Sequence, residues 1–222
     1  MIIIYENLEK EAQEIDGELK KVYGFESSLF SESLEGMFSS IREFNGYRVI
    51  FSKASELLKG KAGLILTTRD IYIDNRSKND DWVFGVQREA ISIVSNARMK
   101  RFDSEPSDRL KINYELYMKR LKTLAIHEIG HDVVKAAHLK PAKWVNVKNN
   151  NYELDLGEHC TDNSCVMYEI VDIKSPPQNE GYIQLGDEKR YDAGLDELIE
   201  RLYPNWFCQR CKSALKIGNN YR

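Results

Sequence analysis

What the chain has little of sets the first limits. No apolar run approaches the length of about 20 residues that a membrane-spanning helix requires, so no span is expected. Positive charge is not in excess: 32 Lys and Arg stand against 35 Asp and Glu, a net charge of −3, with both signs mixed along the chain. Proteins that bind nucleic acid or anionic membrane surfaces carry a basic excess or patch, so neither partner is expected. Met1-Ile2-Ile3-Ile4-Tyr5 has no basic flank and soon turns acidic. It reads as a first strand and not as an export signal, which makes the expected location cytoplasmic. Internal repeats and low-complexity tracts are absent. The 222 residues suffice for one domain with a substantial core, or for a domain with a small appendage.

The chain has only four histidines and four cysteines, and both are unevenly placed. His127-Glu128-Ile129-Gly130-His131 sets two imidazoles four residues apart with a carboxylate between them, in a segment of helical pattern. At 3.6 residues per turn, positions four apart share a helical face, so both rings can reach one metal ion. Glu128 then projects toward the same region as a general base, the pattern of a zinc hydrolase. Cys160, Cys165, Cys208 and Cys211 all lie in the last third of the chain. Two disulfides or four unrelated thiols are one reading. Two short-spaced pairs in a chain without an export signal favour thiolate metal ligands.

Around these residues the pattern is that of a mixed α/β (α+β) protein. Leu8–Val22 reads as a surface helix, and Ser31–Phe44 as a second, with Ser31 as its N-cap and Gly46 ending it. Tyr47–Phe51, Leu64–Ile73, Trp82–Val86 and Ile91–Met99 read as strands, with a short helix at Ala54–Leu58. The Trp82 and Ile91 segments are close enough for a hairpin, while earlier connections are long enough for crossovers, so the sheet is mixed and mostly parallel. Arg101–Asp108 reads as a loop, followed by a long helix from about Asp108 toward Leu139. Leu110, Tyr114, Tyr117, Leu121 and Leu124 form its buried stripe, and the same rhythm continues to Glu128 and His131. A polar turn with Asn149, Asn150 and Asn151 between short strands, a break at Ser175-Pro176-Pro177, and a helix over Asp196–Tyr203 stopped by Pro204 complete the chain. The division expected is 1–139, ending in the active-site helix, and 140–222, within one catalytic unit.

Catalytic zinc takes three protein ligands and leaves a position for water. His138 lies seven residues beyond His131, about 10 Å along a helix, too far unless the helix breaks. The pattern there contains no breaker, so His138 reads as a helix-surface residue. The third ligand is then His159, which follows Gly157, or a carboxylate from Asp155, Glu158 or the later helix.

His159-Cys160, Cys165-Val166-Met167 and Cys208-Gln209-Arg210-Cys211, taken with His127 to His131, resemble the archaemetzincin (archaelysin) signature. In that family HExxHxxGxxH runs directly into Cys, then x4-Cys-x-Met, and later Cys-x-x-Cys. Leu64–Ile71, Val83-Phe84-Gly85 and Ser92–Met99 also resemble its central strands. The resemblance implies a metzincin-like zincin domain with two zinc ions. A catalytic zinc would sit on His127, His131 and His159 over a methionine turn at Met167, and a structural zinc on Cys160, Cys165, Cys208 and Cys211. The implied activity is hydrolysis of peptides or unfolded protein segments with Glu128 as general base, and Trp82–Val86 is the implied strand for an extended substrate. Tyr168 offers a hydroxyl near the site, although packing is its default role. The chain departs from the family at Val134, where a glycine is expected, and by about twenty extra residues before His159. The stretch from Met167 to Cys208 is also longer. A non-peptide amide hydrolase and a zinc-stabilised binding protein are the competing readings; an intact Glu128 speaks against the second. A nucleic-acid-binding zinc ribbon does not suit the acidic balance.

Overall fold

The computed structural model describes residues 1–41, 46–73, 81–99, 114–147, 152–202 and 205–216. The loop read at 101–108, the helix start at 108, the three asparagines at 149–151 and Pro204 lie outside them. The chain is a mixed α/β protein that divides into two compact units. One holds the described residues up to Ile129, and the other Gly130–Lys216, so the division falls within a helix.

The first unit is built on a five-stranded sheet. Strand β1 (Ile2–Tyr5) feeds helix α1 (Glu9–Tyr23), which crosses over to the parallel strand β2 (Ser28–Ser31). Strand β5 (Gly63–Thr67) joins the other side of β1, β9 (Ile91–Ser95) pairs with β5, and both pairings are parallel. Strand β8 (Gly85–Arg88) then pairs antiparallel with β9 as a hairpin and ends the sheet. The hydrophobic repeat of two explains the placement. Ile4, Ile65, Ile91 and Ile93 face one core cluster with Ala54 and Leu58, the latter pair from helix α2 (Phe51–Leu57) and its cap.

A second sheet, β3 (Phe38–Ile41), β4 (Gly46–Val49), β6 (Ile71–Ile73) and β7 (Asp81–Val83), corrects three readings of the sequence. Ser31–Phe44 is not a helix over its described part. Leu34 and Met37, spaced as on a helix, are both buried, but Gly36 between them turns the chain with φ +84°, so β3 starts at Phe38. Leu64–Ile73 is two strands, separated where the Arg69 amide donates to Thr67 Oγ1 and the Ser95 hydroxyl donates to the Arg69 carbonyl. Trp82–Val86 is likewise divided, its first part in the second sheet and its last in the first.

Helix α3 (Tyr114–Val133) is fastened along its length in the first unit. Tyr117 and Leu121 are fully buried, and Leu124 nearly so. Asn96 Nδ2 donates to Tyr117 Oη, whose hydroxyl in turn donates to Glu11. The buried Arg120 guanidinium donates to the Met99 carbonyl. Tyr23 Oη donates to the Ile126 carbonyl at 2.7 Å, one residue before His127. The helix stops at Val133, six residues short of the expected Leu139. No proline or glycine ends it; the C-terminal segment takes over its backbone. Lys135 N donates to Ala214 O and Lys216 N to Val133 O, with an antiparallel bridge between Val134 and Leu215.

The second unit carries its own four-stranded antiparallel sheet, in the order β11 (Tyr152–His159), β10 (Lys140–Asn146), β12 (Gly181–Leu185), β13 (Glu188–Arg190). Ala142, Ile183, Leu185 and Ala193 form its small core. Helix α4 (Leu195–Leu202) buries Leu195, Leu198, Ile199 and Leu202, and α5 (Gln209–Ser213) closes the described chain. The twenty residues inserted before His159 thus supply β10 and β11, and the longer stretch after Met167 supplies β12 and β13. Both of these stretches fold into one sheet.

Candidate metal centres

His127 and His131 stand one turn apart on α3, and His159 is the last residue of β11. The hairpin explains how a ligand can return across so long an insertion. Its first and last residues, Lys140 and His159, are paired across the strands, so the chain comes back to where it left. Gly157 does not make that return. It sits inside β11 at φ +85°, where the register slips opposite Ala142 and Lys143.

Ligand atoms of His127, His131 and His159 all lie within 4.8 Å of one another. His127 and His159 are buried, and the His131 and His159 rings meet edge to face at 4.8 Å. Three imidazoles converging on one point, two of them buried and His131 half-buried, are a donor set suited to zinc, and they leave a coordination position open. Asp155 and Glu158, the carboxylate alternatives, do not join this group, whereas another carboxylate stands beside it. Glu169 Oε2 lies 2.6 Å from His159 Nε2, both side chains buried. A carboxylate at that distance fixes the orientation of a ligand ring and the place of its proton. Sequence reasoning missed Glu169; its position two residues after Met167 was the available signal. Glu169→Ala is expected to weaken zinc at the histidine centre by about 10–100-fold, with Glu169→Gln retaining more of it. Competition against a graded series of chelators measures this. Equal affinity in all three proteins would remove Glu169 from the centre.

Glu128 is itself 7 % exposed, and its place depends on β8. A Cβ added at Gly85 would stand 2.5 Å from Glu128 Oε1 and 2.7 Å from its Cδ and Cγ. Only glycine leaves room for this carboxylate. Gly85→Ala should therefore push the flexible end of Glu128 aside and leave the fold intact. A displacement of about 1 Å in a catalytic group can lower turnover about 100-fold, and turnover is expected to fall on that scale with zinc content unchanged. Full activity in this variant would show that Glu128 is not held by β8.

All four cysteines are free, and they gather at one place in the second unit. Cys160 N donates to Met167 O and Val166 N to Trp206 O, which ties the 160–167 loop to the segment before α5. Cys208 caps α5, and its sulfur accepts from Cys211 N. Cys160 and Cys208 Sγ are 3.7 Å apart. Cys165 and Cys211 hydrogen-bond to Cys160, which holds its thiol far below the ordinary value. Donation to Cys160 pushes the other two thiols up.

His138 is not a helix-surface residue. It lies beyond the end of α3, with Nε2 3.2 Å from Cys160 Sγ, 3.3 Å from Cys211 Sγ and 3.9 Å from Cys208 Sγ. The assumption that failed was an unbroken helix to Leu139. Met167 is fully buried, and Tyr168 donates its hydroxyl to Asp192 at 2.7 Å. Burial first, and then that hydrogen bond, push the Tyr168 phenol up to about 12.

No protein-family model matches the chain, and no curated protein does. Among solved structures, the crystal structure of a zinc-dependent peptidase from Methanocorpusculum labreanum (strain Z) aligns with 97 % of this chain and 100 % of its own. The TM-score is 0.59 at 15 % identity. The chain has that peptidase's fold. At such low identity the likeness is one of architecture, and the chemistry rests on the side chains described above. Among the described residues, no helix is long and apolar enough to cross a membrane.

Proposed function

We propose that this chain is a zinc-dependent peptidase of archaemetzincin type, acting on peptides or unfolded segments. The observation that carries the reading is the convergence of His127, His131 and His159, with Glu128 beside His127 on the same helix. A protein that only bound peptides would have no need of the carboxylate, or of a glycine that makes room for it. The shared fold with a zinc-dependent peptidase supports the same reading.

Bound by the three histidines, zinc would bring the pKa of a water toward neutrality and polarise a scissile carbonyl. Glu128 receives the proton of the attacking water on its carboxylate and passes it to the leaving amine. Among the described residues strand β8 ends its sheet, and that edge suits an extended peptide paired through backbone hydrogen bonds. The second metal is structural: the cysteine cluster leaves no position for substrate.

The test is cleavage of an unbiased peptide library by the purified protein, with and without a zinc chelator. Cleavage that chelation stops and added zinc restores supports the proposal. Two bound zinc ions with no peptide cleaved would move the reading to a non-peptide amide substrate or a binding protein.

A further inference from the structure

The cysteine cluster holds five donors where zinc takes four. Cys160, Cys208 and Cys211 belong to any set; the fourth position falls to Cys165 or His138. Ligand atoms of His138, Cys160, Cys208 and Cys211 all lie within 4.8 Å of one another, a set in which Cys165 has no part. The distances bear on the choice. With bonds of 2.3 Å to sulfur and about 2.05 Å to nitrogen, a tetrahedral ion sets two sulfurs about 3.8 Å apart, and sulfur and nitrogen about 3.5 Å apart. The observed sulfur pair is at 3.7 Å, and the three contacts of His138 Nε2 at 3.2, 3.3 and 3.9 Å bracket the second value.

Charge and topology point the same way. Three thiolates and a neutral imidazole leave zinc with one net negative charge, four thiolates with two. Cys160 and Cys211 are wholly buried, where the extra charge is costly. His138 precedes β10 by two residues and Cys160 follows β11 directly, so the two flank the Lys140–His159 pair. We infer that the second metal is held by Cys160, Cys208, Cys211 and His138, and that it closes the neck of the inserted hairpin, with Cys165 as a thiol beside it. A four-cysteine site would hold only the returning strand. The His138 site holds both strands at the point from which His159 enters the histidine centre. This assignment does not depend on the peptidase reading, because neither Glu128 nor the histidine centre enters it.

The experiment compares zinc retention against a chelator in the full chain with Cys165→Ala, His138→Ala and His138→Cys. Cys165→Ala is expected to keep both zinc ions. His138→Ala should release one of them roughly 100-fold more readily, and His138→Cys should restore it. Loss of zinc from folded Cys165→Ala, or its full retention in His138→Ala, overturns the assignment. Cadmium-113 NMR of the cadmium-loaded wild-type chain decides without a substitution. A resonance in the range of three sulfurs and one nitrogen, coupled to a labelled histidine nitrogen, supports it; a four-sulfur resonance overturns it.

Discussion

Replacing Glu128 by alanine is expected to lower peptide hydrolysis by about 10²–10⁴-fold while both zinc ions stay bound. The size follows from the role proposed for the residue. Without a base, the attacking water must lose its proton to solvent, and the leaving amine must find one there. Zinc retention follows from its position, since Glu128 is not among the grouped ligand atoms of His127, His131 and His159. Helix α3 should not suffer either, because alanine is the best helix former and the buried stripe from Tyr117 to Leu124 is untouched. Rates on a cleaved peptide, read with metal content on the same samples, check both halves. Activity near that of wild type would take the general base away from Glu128.

The second large effect is on stability. Cys208→Ser removes a thiol common to every four-donor set proposed for the cluster, and with it the proposed ion that would join the 160–167 loop to α5. Structural zinc contributes on the order of 10 kcal/mol in small peptides. A unit with its own core draws on less of that, so a fall of roughly 10 °C in Tm is expected. Because Cys160 follows His159 directly, the same change should loosen zinc at the histidine centre. Thermal unfolding and chelator competition report the two effects separately. A variant with wild-type Tm and full zinc content would show that Cys208 holds no structural metal.

The residues that converge were legible in the sequence, and the path that brings them together was not. His127, Glu128 and His131 follow from helical spacing alone, and His159 was the preferred third partner. How His159 returns was hidden, because the pairing of Lys140 with His159 joins positions nineteen residues apart and leaves no local signal. His138 was misread for a related reason. Its fate depends on where α3 stops, and that is decided by residues 214–216, about eighty positions away. The same limit explains Ser31–Phe44, where apolar residues at helical spacing serve a turn and a strand. Glu169 and Gly85 carry no motif. Each matters through a neighbour that only the fold supplies: the His159 ring for one, the Glu128 carboxylate for the other.

The most direct test of two zinc centres with separate tasks is native mass spectrometry of the wild-type chain beside His159→Ala, with peptide cleavage measured on both. Two zinc ions in the wild type are expected, and one in the variant, with cleavage lost and the fold retained. A single zinc in the wild type, or two in a His159→Ala variant that still cleaves peptide, would contradict the account.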